Sequence, residues 1–267
     1  LPVGYALVAG HIVGPNVDLT EADFSGADLS GLDLSGTTLT RVSGPLAFAP
    51  AALPSGYQVV NNYIVGPNVN LTGADLTGAD LSGLSLSGAT LTDVRGQISA
   101  APTALPTGYV LIDSRIVGAR VDLSGVNFTS VDLSGLDLSG INLSGGKLIA
   151  VNLSGTDLSG ANLTGVQGLV ISGVPAALPT GYGLVDVAFT PGILLGPSVI
   201  LWYHDFSGVD LSGFDLSGSD LRDVNFTGAN LTGVQFDGAT MGLVTTVGIV
   251  GTPASLPTGA ILVAGNI

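Results

Sequence analysis

Apolar and polar residues alternate along this chain in a unit of five. The first stretch reads VDLTE, ADFSG, ADLSG, LDLSG, TTLTR from Val17 to Arg41. The first and third residues of each unit are apolar and the second is polar, which is the inside–outside alternation of extended chain. An apolar period of 3.6 residues is missing and glycine recurs at the fifth position, so helix is excluded. The pattern predicts an all-β fold built of short extended segments.

The same five-residue unit returns in three further runs. They span Val69–Asp93, Val121–Gly165 and Val199–Leu243. This tandem, in-register pattern resembles the pentapeptide-repeat family, whose consensus is A-(D/N)-L-x-x. The resemblance implies a right-handed quadrilateral parallel β-helix (a β-solenoid) with one unit per side and 20 residues per coil. No cofactor or metal is implied.

A spacing of 20 residues predicts which side chains stack on one another. Phe206 falls over Phe226, so large core residues lie on large ones, as a continuous core requires. At the outward second position of the two long modules, aspartate falls mostly over an amide, as with Asp132 over Asn152, and only Asp137 over Asp157 stacks like charges. Neighbouring coils lie about 4.8 Å apart, where paired carboxylates repel. We therefore interpret the Asp/Asn alternation as a ladder that avoids like charges.

A second motif, Leu-Pro-x-Gly-Tyr, separates the runs. It occurs at Leu1–Tyr5, Leu53–Tyr57, Leu105–Tyr109 and Leu178–Tyr182, and without its tyrosine at Leu256–Ala260. The motif divides the chain into pentapeptide modules 1–52, 53–104, 105–177 and 178–255 and the start of a fifth, 256–267, which we expect to stack as one continuous solenoid. The small, proline-containing segment before each motif, such as 99–104, is interpreted as a surface loop joining two coils or as a hinge between modules.

Charge and composition narrow the classes of function. Lys and Arg number 6 against 20 Asp and Glu, for a net charge of -14, so nucleic-acid binding through phosphate contacts is not expected. Cysteine is absent, which excludes disulfides and thiolate metal sites. Apolar runs never approach the roughly 18 residues of a membrane helix, so membrane insertion is not predicted. Because residue 1 is leucine, we expect a processed or excised segment.

Candidate chemistry is sparse. His204 and Asp205 are neighbours, but His204 takes the first position of a repeat, and a nucleophile-elbow sequence is missing, so no catalytic residue and no enzyme activity are predicted. The aspartate columns lack the loops that hold Ca²⁺, and no metal site is predicted. Rows of hydroxyls such as Ser144 and Thr164 could face ice or polysaccharide. We expect them instead to hydrogen-bond along the ladder.

The two ends of the sequence carry the candidate sites. Residues 256–267 (LPTGAILVAGNI) closely repeat residues 1–12 (LPVGYALVAGHI), and a β-solenoid exposes strand edges unless they are covered. We predict that the last element of one copy docks onto the first coil of the next, or that the array continues in a longer parent chain. The candidate self-association residues are Leu1, Pro2, Tyr5, Ile12, Leu256, Pro257, Ile261 and Ile267.

The function predicted from these features is structural and non-catalytic. We expect an extracellular or cell-surface protein that associates with itself head to tail as a fibre, sheath or adhesin-stalk subunit. The alternative comes from the resemblance, since related proteins include acidic DNA mimics that bind topoisomerases, and the charge of -14 is compatible with that role. The Leu-Pro-x-Gly-Tyr interruptions depart from the uninterrupted rods of those proteins, and none of their functional residues can be matched here.

Overall fold

The computed structural model describes residues 1–187 and 190–261, and this part of the chain contains strands and turns but no helix. The chain divides into two compact units, Leu1–Asp122 and Leu123–Ile267. The division falls inside the predicted third module, 105–177. That all modules stack as one continuous solenoid stays a prediction.

Parallel β-bridges hold successive pentapeptides together in both units. In the first unit Asp18 pairs with Thr38, and in the second Asp205 pairs with Asn225, in each case twenty positions along the chain. The Thr38 N–H donates to the Val17 carbonyl and the Leu19 N–H donates to the Thr38 carbonyl, both at 3.0 Å. The second position of a repeat, which is usually polar, therefore supplies the bridging residue of a ladder along the solenoid.

The apolar first and third positions form the core, as the alternation predicts. Ala22 and Leu29 are fully buried in the first unit, as are Phe206, Phe226 and Phe236 in the second. The rings of Phe206 and Phe226 stack at 5.9 Å with an interplanar angle of 14°, and Phe236 meets Phe226 edge-on at 5.9 Å. The predicted stacking of Phe226 on Phe206 is confirmed.

The ten strands are short. They are β1 Ala6–Val8, β2 His11–Val13, β3 Gln58–Val60, β4 Tyr63–Val65, β5 Val110–Ile112, β6 Arg115–Val117, β7 Lys147–Ile149, β8 Gln167–Leu169, β9 Gly183–Val187 and β10 Thr190–Leu195. Strands β7 and β8 pair in parallel, within the ladder of successive coils. The other eight form antiparallel hairpins, β1–β2, β3–β4, β5–β6 and β9–β10, each directly after a Leu-Pro-x-Gly-Tyr motif.

The segment before each motif is part of a coil. Ala100 bridges Asp80, Ala104 bridges Ser85, and the Thr103 N–H donates to the Leu84 carbonyl at 2.7 Å. The interpretation of 99–104 as a surface loop or hinge is therefore wrong. Its backbone donors and acceptors are used by the preceding coil, as buried backbone groups must be, and Pro102 stands between the bridging residues.

Candidate functional site

The Leu-Pro-x-Gly-Tyr motif forms a tight turn. The Tyr57 N–H donates to the Pro54 carbonyl at 3.2 Å, and Gly56 has φ +86°. This is the type II arrangement, in which only glycine is unstrained at the third turn position. The tyrosine-free copy makes the same turn, since the Ala260 N–H donates to the Pro257 carbonyl at 3.0 Å.

The tyrosine of the motif packs against the residues just after the following hairpin and donates a hydrogen bond to them. The Tyr57 hydroxyl donates to the Pro67 carbonyl at 3.1 Å, and its ring lies so close over Gly66 that a Cβ there would collide with it. Burial raises the pKa of Tyr57 above its ordinary value. The same ring-over-glycine contact joins Tyr5 to Gly14, Tyr109 to Gly118 and Tyr182 to Gly196. Tyr5, a candidate self-association residue, thus contacts its own module.

Three hydrogen bonds join each module to the next, and they recur at three junctions. At the first junction the Arg41 N–H donates to the Asn68 carbonyl (2.7 Å), the Asn70 N–H to the Val42 carbonyl (2.9 Å), and the Leu46 N–H to the Asn62 carbonyl (2.7 Å). The second junction uses Asp93 with Arg120, Asp122 with Val94, and Ile98 with Ser114. The third uses Gly165 with Ser198, Ile200 with Val166, and Ile171 with Gly192.

The junctions also bury one apolar residue of each hairpin. Ile64 and Ile116, at matching positions of the second and third modules, are 5% and 3% exposed. Leu194, their counterpart in the fourth module, is 1% exposed and lies against Gly168 of the coil before it. Ile12 holds the same position in β1–β2 but is 49% exposed. Among residues 1–187 and 190–261, a preceding coil covers this face in three modules and no coil covers it in the first.

The predicted end residues fall into two groups in different units. Leu1, Pro2 and Ile12 are exposed around the first hairpin, where the register pairs Ile12 with Leu7. Leu7 is also exposed and was not among the predicted residues; its match to Val59 and Leu111 in the aligned motifs could have identified it. In the second unit, Leu256 packs partly buried against the core and Ile261 is exposed. Pro257 lies in the turn, and Ile267, with 262–266, lies outside the described residues.

The outward aspartates are structural groups. Asp18 Oδ1 accepts the Thr20 N–H at 3.0 Å and the Thr20 hydroxyl at 2.6 Å. These bonds favour the ionised form and lower the pKa of the Asp18 carboxyl. Asparagine makes the same turn, since Asn70 Oδ1 accepts the Thr72 N–H at 3.0 Å. In these repeats the second position forms the turn through a side-chain oxygen and does not need a charge.

Predicted aspartate–amide pairs such as Asp132 with Asn152 are present in ladders of the second unit, where Asp137 also bridges Asp157. The Asn225 amide donates to Asp205 Oδ1 and the Asn230 amide to Asp210 Oδ1, both at 2.9 Å. The Thr232 hydroxyl donates to Asn230 Oδ1 of its own repeat at 2.6 Å, whereas hydrogen bonding of the Ser144 and Thr164 hydroxyls along the ladder stays a prediction. Hydrogen bonds between the second and fourth positions thus form the turn within a repeat, while side-chain amides join successive coils.

The surroundings of His204 are backbone carbonyls and an aromatic ring. His204 Nδ1 lies 2.9 Å from the carbonyls of Leu201 and Trp202, and its ring stacks on Phe206 at 5.7 Å. Across residues 1–187 and 190–261, no group of three or more His, Asp or Glu side chains is placed to hold a metal ion. In the same ranges we find no helix with the length and apolarity to span a membrane.

Comparison with known proteins identifies one family. The model described as pentapeptide repeats matches eight copies, over residues 15–42, 67–94, 119–145, 147–167 and 205–242. No curated protein matches the chain. Among solved structures, a pentapeptide repeat protein (Rfr23) of the cyanobacterium Cyanothece 51142 is 19% identical, covers 51% of this chain and 90% of its own, and has a TM-score of 0.22.

Two further structures are similar. HetL of Nostoc sp. strain PCC 7120, a pentapeptide repeat protein involved in heterocyst differentiation regulation, is 20% identical over 92% of this chain and 88% of its own, with a TM-score of 0.20. The plasmid-mediated fluoroquinolone resistance protein QnrB1 is 14% identical over 91% of this chain and 90% of its own, with a TM-score of 0.21. At these TM-scores the structural likenesses carry no argument of their own.

The family match settles the fold class. Pentapeptide repeat proteins fold as right-handed quadrilateral β-helices, and they are in general non-enzymatic structural or interaction modules. The predicted fold class is confirmed. With the family model matching more than half of its residues, this chain belongs to the pentapeptide repeat family.

Proposed function

We propose that this protein is a structural, self-associating β-solenoid in which the last coil of one copy docks onto the open face of hairpin β1–β2 in the next. The observation that carries the proposal is the exposure of Ile12, whose counterparts at three internal junctions are buried beneath a coil. A head-to-tail contact of this kind is heterologous and produces filaments when it does not close.

The last coil offers the groups that the internal junctions use. Leu243, Val244 and Ile249 each follow Gly165, Val166 and Ile171 by one module length. The matching groups of the next copy are Asn16, Asp18 and Gly10. We expect the Leu243 N–H to donate to the Asn16 carbonyl, the Asp18 N–H to donate to the Val244 carbonyl, and the Ile249 N–H to donate to the Gly10 carbonyl.

The turn that follows the last coil in the same chain competes with a second copy for the surface of that coil. The turn Leu256–Ala260 follows the last coil as Leu53–Tyr57 follows the coil before it, and Leu256 packs on the core of its own unit. The hairpin of a second copy would take the place of the turn Leu256–Ala260. Removal of 256–267 should therefore strengthen association between copies.

Replacing Ile12 with lysine is expected to abolish association of the 267-residue chain. The substitution puts a charge on the face that must be covered, where an unpaired charge is costly to bury. The measurement is sedimentation velocity over a concentration series. Val3→Lys is the matched control, because it adds the same charge at the fully exposed third position of the motif, where Ser55 and Thr107 are exposed in other modules.

The outcomes are distinct. The proposal predicts assembly for the native chain and Val3→Lys, none for Ile12→Lys, and assembly at lower concentration for the chain ending at Ser255. A native chain that stays monomeric at every concentration would overturn it, as would equal assembly of Ile12→Lys and the control.

An extracellular or cell-surface setting, as a fibre, sheath or adhesin stalk, is part of the proposal. It is supported by a composition with no cysteine and 41 glycines. The acidic DNA mimic is the second candidate, supported by the net charge of -14. The Asp/Asn ladders dilute that charge along each column, which favours the structural role. Inhibition of gyrase supercoiling by the chain would favour the mimic.

A further inference from the structure

One corner of the second unit carries two neighbouring aromatic side chains at the surface. Tyr203 is 78% exposed and Trp202 is 38% exposed. Tyr203 takes the fifth position of its repeat with φ +60°, a backbone conformation that costs a bulky residue about 1 kcal/mol and that glycine adopts freely. Other residues at the fifth position share this backbone conformation, as Val170 does at φ 55°, so Tyr203 is set apart by its large, exposed aromatic ring.

The groups around this corner are held in place. Asp220 accepts two hydrogen bonds from Arg222, at 2.9 Å from Nε and 2.8 Å from Nη2. The Arg222 guanidinium lies 4.9 Å from the centre of the Trp202 ring, a cation–π contact. Burial raises the pKa of the Asp220 carboxyl, but bonds from Arg222 and the Trp202 side chain outweigh it and lower that pKa below its ordinary value.

These side chains line a shallow depression. Its walls are Trp202, Tyr203, Arg222 and Asp223, and it encloses about 240 Å³. One face of Trp202 is occupied by the guanidinium, so the ring offered to a ligand is that of Tyr203. Aromatic side chains supply rigid, amphipathic contact area at low entropic cost, and a few polar groups beside such area fix a ligand's orientation.

We propose that this aromatic corner (Trp202, Tyr203, Arg222 and Asp223) binds a neutral glycan through one pyranose ring. The weakly positive C–H face of a pyranose suits the negative face of the Tyr203 ring. Its hydroxyls can accept from Arg222 N–H groups and donate to the Asp223 carboxylate. Two carboxylates at the corner and a net charge of -14 disfavour anionic sugars.

The chain contains a single tryptophan, so Trp202 fluorescence reports on this corner directly. We expect cellohexaose to change the emission saturably, and hexagalacturonate to have no effect. Tyr203→Gly should weaken cellohexaose binding about tenfold or more, the usual loss when an aromatic anchor is removed. It should leave stability equal or higher, because glycine suits φ +60°. Tyr203→Ser is a second variant, since Ser130 already takes such a corner at φ 63°.

Val170→Gly is the matched control. Val170 is also an apolar residue at the fifth position of a repeat, is exposed and has φ 55°, so its replacement should leave glycan binding unchanged. Saturable binding that is lost in both Tyr203 variants and kept in Val170→Gly supports the proposal. It is overturned if cellohexaose does not bind, if both Tyr203 variants bind as the native chain does, or if hexagalacturonate binds more tightly. None of these results depends on whether the chain self-associates.

Discussion

Replacement of Phe226 by alanine is expected to lower the free energy of unfolding by about 3–5 kcal/mol, the usual cost of emptying a large aromatic site in a packed core. Phe226 is fully buried between the rings of Phe206 and Phe236, each 5.9 Å away. Asn225, next to Phe226, bridges both Asp205 and Thr245, and these bridges hold the neighbouring coils apart so that they can collapse little into the cavity. Urea unfolding followed by circular dichroism measures the change.

Phe48→Ala is the control of matched chemistry. Phe48 is exposed although it bridges Asp28 in the ladder, and exposed substitutions change stability by about 0.5 kcal/mol or less. Similar losses for Phe226→Ala and Phe48→Ala would contradict the assignment of the apolar third position to the core.

Acidification is expected to destabilise the solenoid below about pH 4, the ordinary range of aspartate titration. The carboxyls of Asp23, Asp28 and Asp33 each accept hydrogen bonds from the serine two residues on, and these bonds lower their pKa values in the folded state. A folded pKa below the unfolded one gives stability that is present above the unfolded pKa and is lost as pH falls through the folded pKa. Denaturant unfolding at pH 7 and at pH 3 measures the loss.

A triple replacement separates charge from hydrogen bonding. Asn at positions 23, 28 and 33 keeps the accepting oxygen, as Asn70 does for Thr72, so stability at pH 7 should be close to native and its dependence on pH weaker. Leucine at the same three positions removes the acceptor and should destabilise at both pH values. An asparagine triple variant as unstable as the leucine variant at pH 7 would show that charge, not the turn, is what these positions need.

The repeating part of the structure was predictable from the sequence because one local rule generates it. A small inward residue, an outward acceptor and a large core residue recur every five positions, so Ala22, Asp23 and Phe24 already imply the coil. The twenty-residue offset also predicts the pairs within ladders, including Asn225 with Asp205. The same offset places Arg222 beside Trp202, a pair that sequence reasoning could have found.

The segments between the pentapeptide runs were harder to predict from the sequence, because they do not follow the five-residue pattern. The hairpin β3–β4 turns at Asn61 and Asn62, both with positive φ, and such a pair between apolar residues is typical of a two-residue hairpin turn. The Asn61–Asn62 pair therefore indicated a hairpin, but the interpretation of the whole chain as stacked pentapeptides did not include one. The segment 99–104 could not be placed from sequence, because its proline and small residues are typical of loops while its backbone pairs with a coil. Ile12, Ile64 and Ile116 hold the same position in their motifs, so only the three-dimensional structure shows that Ile12 is exposed while the other two are buried.

The central claim is end-to-end stacking through the open hairpin face, and electron microscopy of the native chain tests it most directly. The account predicts unbranched filaments that lengthen with protein concentration and are missing from Ile12→Lys preparations. Fields of separate, uniform particles at every concentration, identical for the native chain and the Ile12→Lys variant, would contradict it.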